Sequence, residues 1–148
     1  MLQYGPSAAG GGEYWSVASW YLAGSGTYHT GLVTVSVGQS LDGVITLTDS
    51  SDGQYSYVTS FTDVAGTTLA VSGAEQLVWA TETLESYSVN SPSDYPQGST
   101  VFSSINVKTT GGSPSVTWTA VSDIPDGVTT TVNVQGATNA EVTIKYPS

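Results

Sequence analysis

Side-chain polarity in this chain alternates with a period of two over most of its length, and that pattern restricts what it can fold into. In a strand successive side chains point to opposite faces, so alternation marks half-buried strands. Candidate strands run over 14–21, 32–37, 43–48, 54–61, 67–71 and 76–85, then 99–108, 115–121, 129–135 and 141–146. Between them stand turn-forming pairs: Asp42-Gly43, Asp52-Gly53, Gly111-Gly112 and Asp126-Gly127. Such pairs supply the positive φ that tight hairpin turns require. No segment carries an apolar stripe of helical period. Short strands with short connections predict an all-β antiparallel sandwich, in one domain spanning residues 1–148. The stretches 8–12 and 90–98 are expected as the longer, mobile loops.

Composition narrows the function classes. The chain has 148 residues, of which 39% are hydrophobic and 9% charged, against about a quarter charged in ordinary domains. Lys108 and Lys145 are its only basic residues, and the formal net charge is −10. Nucleic-acid binding and attachment to anionic membranes both rely on Lys and Arg, so neither partner is expected. At pH of about 3 to 4 much of the carboxylate charge is neutralised, so the composition suits an acidic medium. A surface of hydroxyls and amides points to a secreted, extracellular protein. There is no cysteine, hence no disulfide, thiolate nucleophile or thiolate metal site. Residues 1–5 have neither a basic n-region nor an apolar h-region, and no apolar run reaches ~18 residues.

The lone His29 could serve a Ser-His-Asp arrangement only if a Ser and an Asp converged on it; otherwise it is a turn residue facing solvent. The aspartates lie in turns without calcium-loop spacing, and their side chains are expected to bond their own backbone. No metal and no cofactor is expected. Glu82 stands out. On a strand over 76–85 it shares a face with Val78, Ala80 and Leu84. Partial desolvation there would raise its pKa, which suits a group that acts as base and then as acid. The alternative is a strand Glu at a sheet rim with its head in water.

The segment Leu77-Val78-Trp79-Ala80-Thr81-Glu82 resembles the Trp-x-x-Glu strand of the glutamic peptidases (the eqolisin family), and Leu2-Gln3-Tyr4-Gly5 is similar to that family's Leu-Gln-x-Gly segment. Tyr14–Tyr21 stands where the family has an aromatic strand ending in Trp-Tyr. Later segments follow in the family's order: Val35–Ser40, Val101–Asn106 before Gly111-Gly112, and the closing Ala140–Tyr146. The resemblance implies a concanavalin-like, jelly-roll type sandwich of two packed sheets. It further implies an acid-acting endopeptidase with a polypeptide substrate, working as a monomer. Gln3 and Glu82 would be catalytic, with Trp20, Tyr21 and Trp79 lining the substrate cleft. Glu82 would take a proton from a water held between it and Gln3, the water would attack the scissile carbonyl, and Glu82 would pass the proton to the leaving amine. The Gln3 carboxamide would donate to the oxyanion.

The chain departs from the family pattern in several places. Several strands precede the catalytic Gln in the family, so the expectation is a fragment, a late start, or strands supplied otherwise. Ser19, Val78 and Thr83 stand where acidic residues are common. The rival expectations are a carbohydrate-binding sandwich that uses exposed aromatics, and an acid-stable extracellular structural protein.

Overall fold

The computed structural model describes residues 1–24, 26–86 and 89–147. The fold is all-β and sandwich-like, and every ladder in it is antiparallel. The chain divides into two compact units, Met1–Val78 and Trp79–Ser148. Among the described residues no helix is long and apolar enough to cross a membrane.

In the first unit β1 (Leu2–Ser7), β2 (Gly10–Val17) and β5 (Val33–Thr34) form one sheet with β2 central. The stretch 8–12, expected as a loop, is instead a tight hairpin: Ala9 N–H donates to Ser7 Oγ at 3.1 Å, and β2 begins at Gly10. The strand expected over 14–21 divides at Ala18-Ser19. Ala18 N–H donates to the Met1 carbonyl, whereas the Ser19 carbonyl accepts from Thr30 N–H at 3.1 Å. Each residue is thus claimed by a different neighbour, and the chain passes into β3 (Trp20–Ala23), which pairs with β4 (Gly26–His29). A third sheet has the order β6 (Gly43–Ser51), β7 (Gln54–Phe61), β8 (Leu69–Ala74). The β6–β7 turn places Asp52 and Gly53 at φ of 52° and 74°, as the Asp-Gly pair predicts. Val17, Ala18, Val35 and Ala74 are buried in this unit, together with Ser16, Ser19 and Thr67.

In the second unit β11 (Ala140–Lys145) lies between β10 (Thr129–Val134) and β9 (Ser99–Ile105). Its central position explains its pattern: Ala140, Val142 and Ile144 are buried on one face. Val128, Ile144 and Tyr146 form the core, with Leu84, Tyr95 and Phe102 packed on it. The Tyr146 hydroxyl is hydrogen-bonded to Thr100 Oγ1.

Two expected strands make no ladder. The segment 115–121 is held beside β10 by side chains rather than backbone. Gln135 Oε1 accepts from Trp118 N–H at 2.7 Å and its Nε2 donates to the Trp118 carbonyl at 2.9 Å. Ser122 Oγ accepts from Thr130 N–H. Over 76–84 the chain likewise forms no ladder with the described residues, and Leu77 N–H donates to the Tyr57 hydroxyl at 3.0 Å. The 90–98 stretch contains a 3₁₀ turn at Pro92–Asp94. There the Asp94 carboxylate accepts from Asn90 N–H and Ser91 N–H at 2.9 and 3.0 Å.

Candidate functional site

Gln3 lies on β1 directly opposite Ser16 of β2. Its carboxamide is held by the hairpin that follows it. Nε2 donates to the Gly5 carbonyl at 3.1 Å and the Gly10 carbonyl at 3.3 Å, and Oε1 accepts from the Ser7 hydroxyl at 3.0 Å. Both donors of the amide therefore have acceptors, and any oxyanion would have to replace one of them. The longer bond, to Gly10, is the weaker of the two. Gly11 makes room for this arrangement. It sits at φ +114°, and a Cβ there would lie 2.5 Å from the Gly5 oxygen and 2.8 Å from Gln3 Nε2. Ser7 and Gly11 were not singled out from the sequence; the triple glycine 10–12 was its only trace.

Glu82 belongs to the second unit. Exposure alternates over 81–84, with Glu82 and Leu84 turned inward. Leu84 packs on the Val128–Ile144–Tyr146 core, which brings the residue two before it partly under cover. Val78 and Ala80, the other two aliphatic neighbours expected, are exposed. Burial raises the Glu82 pKa above its ordinary 4.5 because it penalises the ionised carboxylate. Among the described residues no hydrogen bond reaches the Glu82 side chain to offset that penalty.

The three aromatic residues differ in setting. Trp20 and Tyr21 are half-buried in β3; their cross-strand partners are His29 and Tyr28, with ring centroids 4.6 and 6.2 Å apart. Trp20 Nε1 is buried with no hydrogen-bond partner among the described residues, as are Ser16 Oγ and Ser19 Oγ. Trp79, at 77% exposure, stands open to solvent. Gln3, Trp20 and Tyr21 thus belong to the first unit, and Trp79 and Glu82 to the second.

His29 is exposed at the end of β4, its Nδ1 2.9 Å from the Thr30 carbonyl. The aspartates divide. Asp94 and Asp123 accept from nearby backbone, Asp123 Oδ1 from Asp126 N–H at 3.4 Å, and Asp63 takes a φ of 59°. Asp42 and Asp126 instead reach residues distant in sequence: Asp42 accepts from the Thr62 hydroxyl at 2.8 Å and Asp126 from the Tyr95 hydroxyl at 2.9 Å. Among the described residues no group of three His, Cys, Asp or Glu could hold a metal ion.

Fold and site together define an all-β protein with a half-desolvated glutamate in one unit and a clamped glutamine in the other. Comparison with protein families, characterised proteins and solved structures finds no match for this chain.

Proposed function

We propose that this protein is an acid-acting endopeptidase that hydrolyses peptide bonds with Glu82 and Gln3 and no covalent intermediate. The observation that carries the reading is the state of Glu82. A carboxyl group whose pKa is raised by burial, with no donor among the described residues fixing it as a carboxylate, can take a proton and return it. In the proposed cycle ionised Glu82 removes a proton from water as the oxygen attacks the scissile carbonyl. The tetrahedral oxyanion is met by Gln3 Nε2, released from the Gly10 carbonyl. Collapse of the intermediate breaks the C–N bond, and Glu82 gives its proton to the leaving amine. A carboxamide suits the oxyanion role because it does not titrate in acid. Polypeptide is the substrate, and an acidic extracellular medium is where such chemistry would operate.

The test is digestion of a denatured protein between pH 2 and 5 by wild type, Glu82→Gln and Gln3→Ala. Wild type should cleave in the presence of chelators and of serine and cysteine reagents. Glu82→Gln should lose about 10²–10⁴-fold in kcat, the usual worth of a positioned acid–base group. Gln3→Ala should lose roughly 10²–10³-fold, as when one oxyanion donor is removed. Full activity in either variant would sink the mechanism.

The exposure of Trp79 favours a second reading, a non-catalytic module that stacks sugar rings on exposed aromatics. Under it, soluble polysaccharide would quench Trp fluorescence in wild type and not in Trp79→Ala, and no cleavage would be seen.

A further inference from the structure

The outer edge of β6 is an open strand edge. All nine residues of Gly43–Ser51 are exposed, and β6 is bonded on one side only, to β7. Thr62 N–H donates to the Asp42 carbonyl at 2.8 Å, which marks 42 and 62 as a hydrogen-bonded pair. Counting along the register Val44↔Ser60, Ile45↔Thr59, Thr46↔Val58, the backbone groups of Val44 and Thr46 point to β7. Those of Gly43, Ile45 and Leu47 point away from it, and among the described residues they meet no other partner.

Four other edges are blunted. β10 is flanked by 118–122 through Gln135 and Ser122, and Pro6 interrupts the donors of β1. The outer strands β9 and β8 are kinked by Ser104 at φ 55° and Gly73 at φ 66°. β6 shifts register between Leu47 and Asp49, but Gly43–Leu47 before that bulge has no charge, no proline and no positive φ, and Val44, Ile45 and Leu47 are 41, 66 and 38% exposed. An edge of this kind templates another strand.

We propose that β6 pairs antiparallel with β6 of a second copy of this chain, about a two-fold axis through Ile45. The register decides the partner. With Ile45 opposite the partner's Ile45, Gly43 falls opposite the partner's Leu47. All three outward residues then form pairs that exchange both backbone hydrogen bonds. Val44 stands beside the partner's Thr46, so apolar and hydroxyl side chains meet. Gly43–Leu47, the residues so paired, carry no charge, so no two carboxylates face each other among them. The pairing is isologous and closes at two. It would join two three-stranded sheets into one continuous sheet. The contact is small, so the dimer is weak, and two chains of charge −10 repel, so added salt should tighten it. The proposal departs from the monomer expected from the sequence and does not depend on the peptidase reading.

The experiment is sedimentation of the full chain over a range of concentrations and salt, with variants chosen by register. Wild type should dimerise with a dissociation constant on the order of 10 µM to 1 mM, falling as salt rises. Ile45→Pro removes an outward N–H and leaves the β7 ladder intact. Ile45→Lys places a charge on the axis. Each should raise the dissociation constant at least ~10-fold, with circular dichroism unchanged. Ile45→Cys gives a chain with one cysteine, which should oxidise to a disulfide-linked dimer because its Cα lies about 5.5 Å from its mate. Leu47→Cys should not, because its mate lies roughly 13 Å along the strand. A chain that stays monomeric at about 1 mM in high salt would overturn the proposal. So would open-ended oligomers, or equal disulfide yields at 45 and 47.

Discussion

Replacing Gly11 with alanine should destabilise the first unit far more than the same change at Gly10, and the difference measures how tightly the hairpin holds Gln3. Both glycines have positive φ, +93° at position 10 and +114° at position 11. For an L residue that geometry costs about 1–2 kcal/mol. A Cβ on Gly10 meets nothing within 4 Å, so backbone strain is its whole cost. On Gly11 the Cβ would lie 2.5 Å from the Gly5 carbonyl oxygen and 2.8 Å from Gln3 Nε2, and both must give way. The Gly5 oxygen is backbone, and moving it breaks the Gln3 Nε2 bond that ends on it. Losing that bond and disturbing the one to Gly10 adds about 1 kcal/mol each. Gly11→Ala should therefore cost ~3–4 kcal/mol against ~1–2 for Gly10→Ala. At about 3 °C per kcal/mol for a chain of this size, the two melting temperatures should differ by roughly 6 °C. The assay is urea and thermal unfolding followed by Trp fluorescence, with Gln3→Ala combined with each variant. If the two alanine variants fall within ~0.5 kcal/mol of each other, the reasoning about the Gln3 clamp is wrong.

Stability should depend on pH in opposite senses at two carboxylates. Burial raises the Glu82 pKa in the folded state, so the stability it contributes is present in acid and lost as pH rises through that raised value. Wild type should therefore fall behind Glu82→Gln only on the alkaline side of pH 4.5, and a difference in stability that is flat with pH would refute this. Backbone hydrogen bonds from Asn90 and Ser91 lower the Asp94 pKa, so its contribution is present near neutrality and lost as pH falls through the lowered value. Urea titrations should show Asp94→Asn converging with wild type in acid; parallel curves would contradict it. Gln135→Ala should remove two hydrogen bonds to Trp118 and cost about 1–2 kcal/mol, with faster exchange of the Trp118 amide; an unchanged exchange rate would count against the clasp.

Period and turn chemistry made the β6–β7 hairpin legible, but not the β1–β2 and β3–β4 hairpins, where no strand was expected over 2–7 or 26–29. The strand expected over 54–61 is β7, residue for residue, and Asp52-Gly53 forms its turn. The turn type demands those residues, so the local signal is strong there, although burial does not alternate as expected: β6 is exposed throughout and β7 is half-buried from Tyr55 to Phe61. Alternation over 76–85 and 115–121 reports only that the chain is extended, and ladder formation depends on a neighbour the pattern does not contain. Trp118 found the carboxamide of Gln135, and Leu77 found the hydroxyl of Tyr57. The inward turn of Glu82 was legible from its face, although only Leu84 of its three expected neighbours shares the cover. The clamp on Gln3 was not, because it depends on two carbonyls, Gly5 and Gly10, whose direction is set by backbone angles.

The side-chain amide of Gln135 meets Trp118 as a peptide group would, accepting from its N–H and donating to its carbonyl. A peptide group in a ladder is tied to neighbours that open with it, whereas a side chain can rotate away alone. The strip 118–122 is thus fastened at separate points, Trp118 to Gln135 and Gly136, and Ser122 to Thr130. It can lift like a flap on two buttons while β9, β10 and β11 remain zipped. Amide exchange in the second unit would then be patchy: slow at Trp118 and Thr130, fast at Thr119 and Val121 between them.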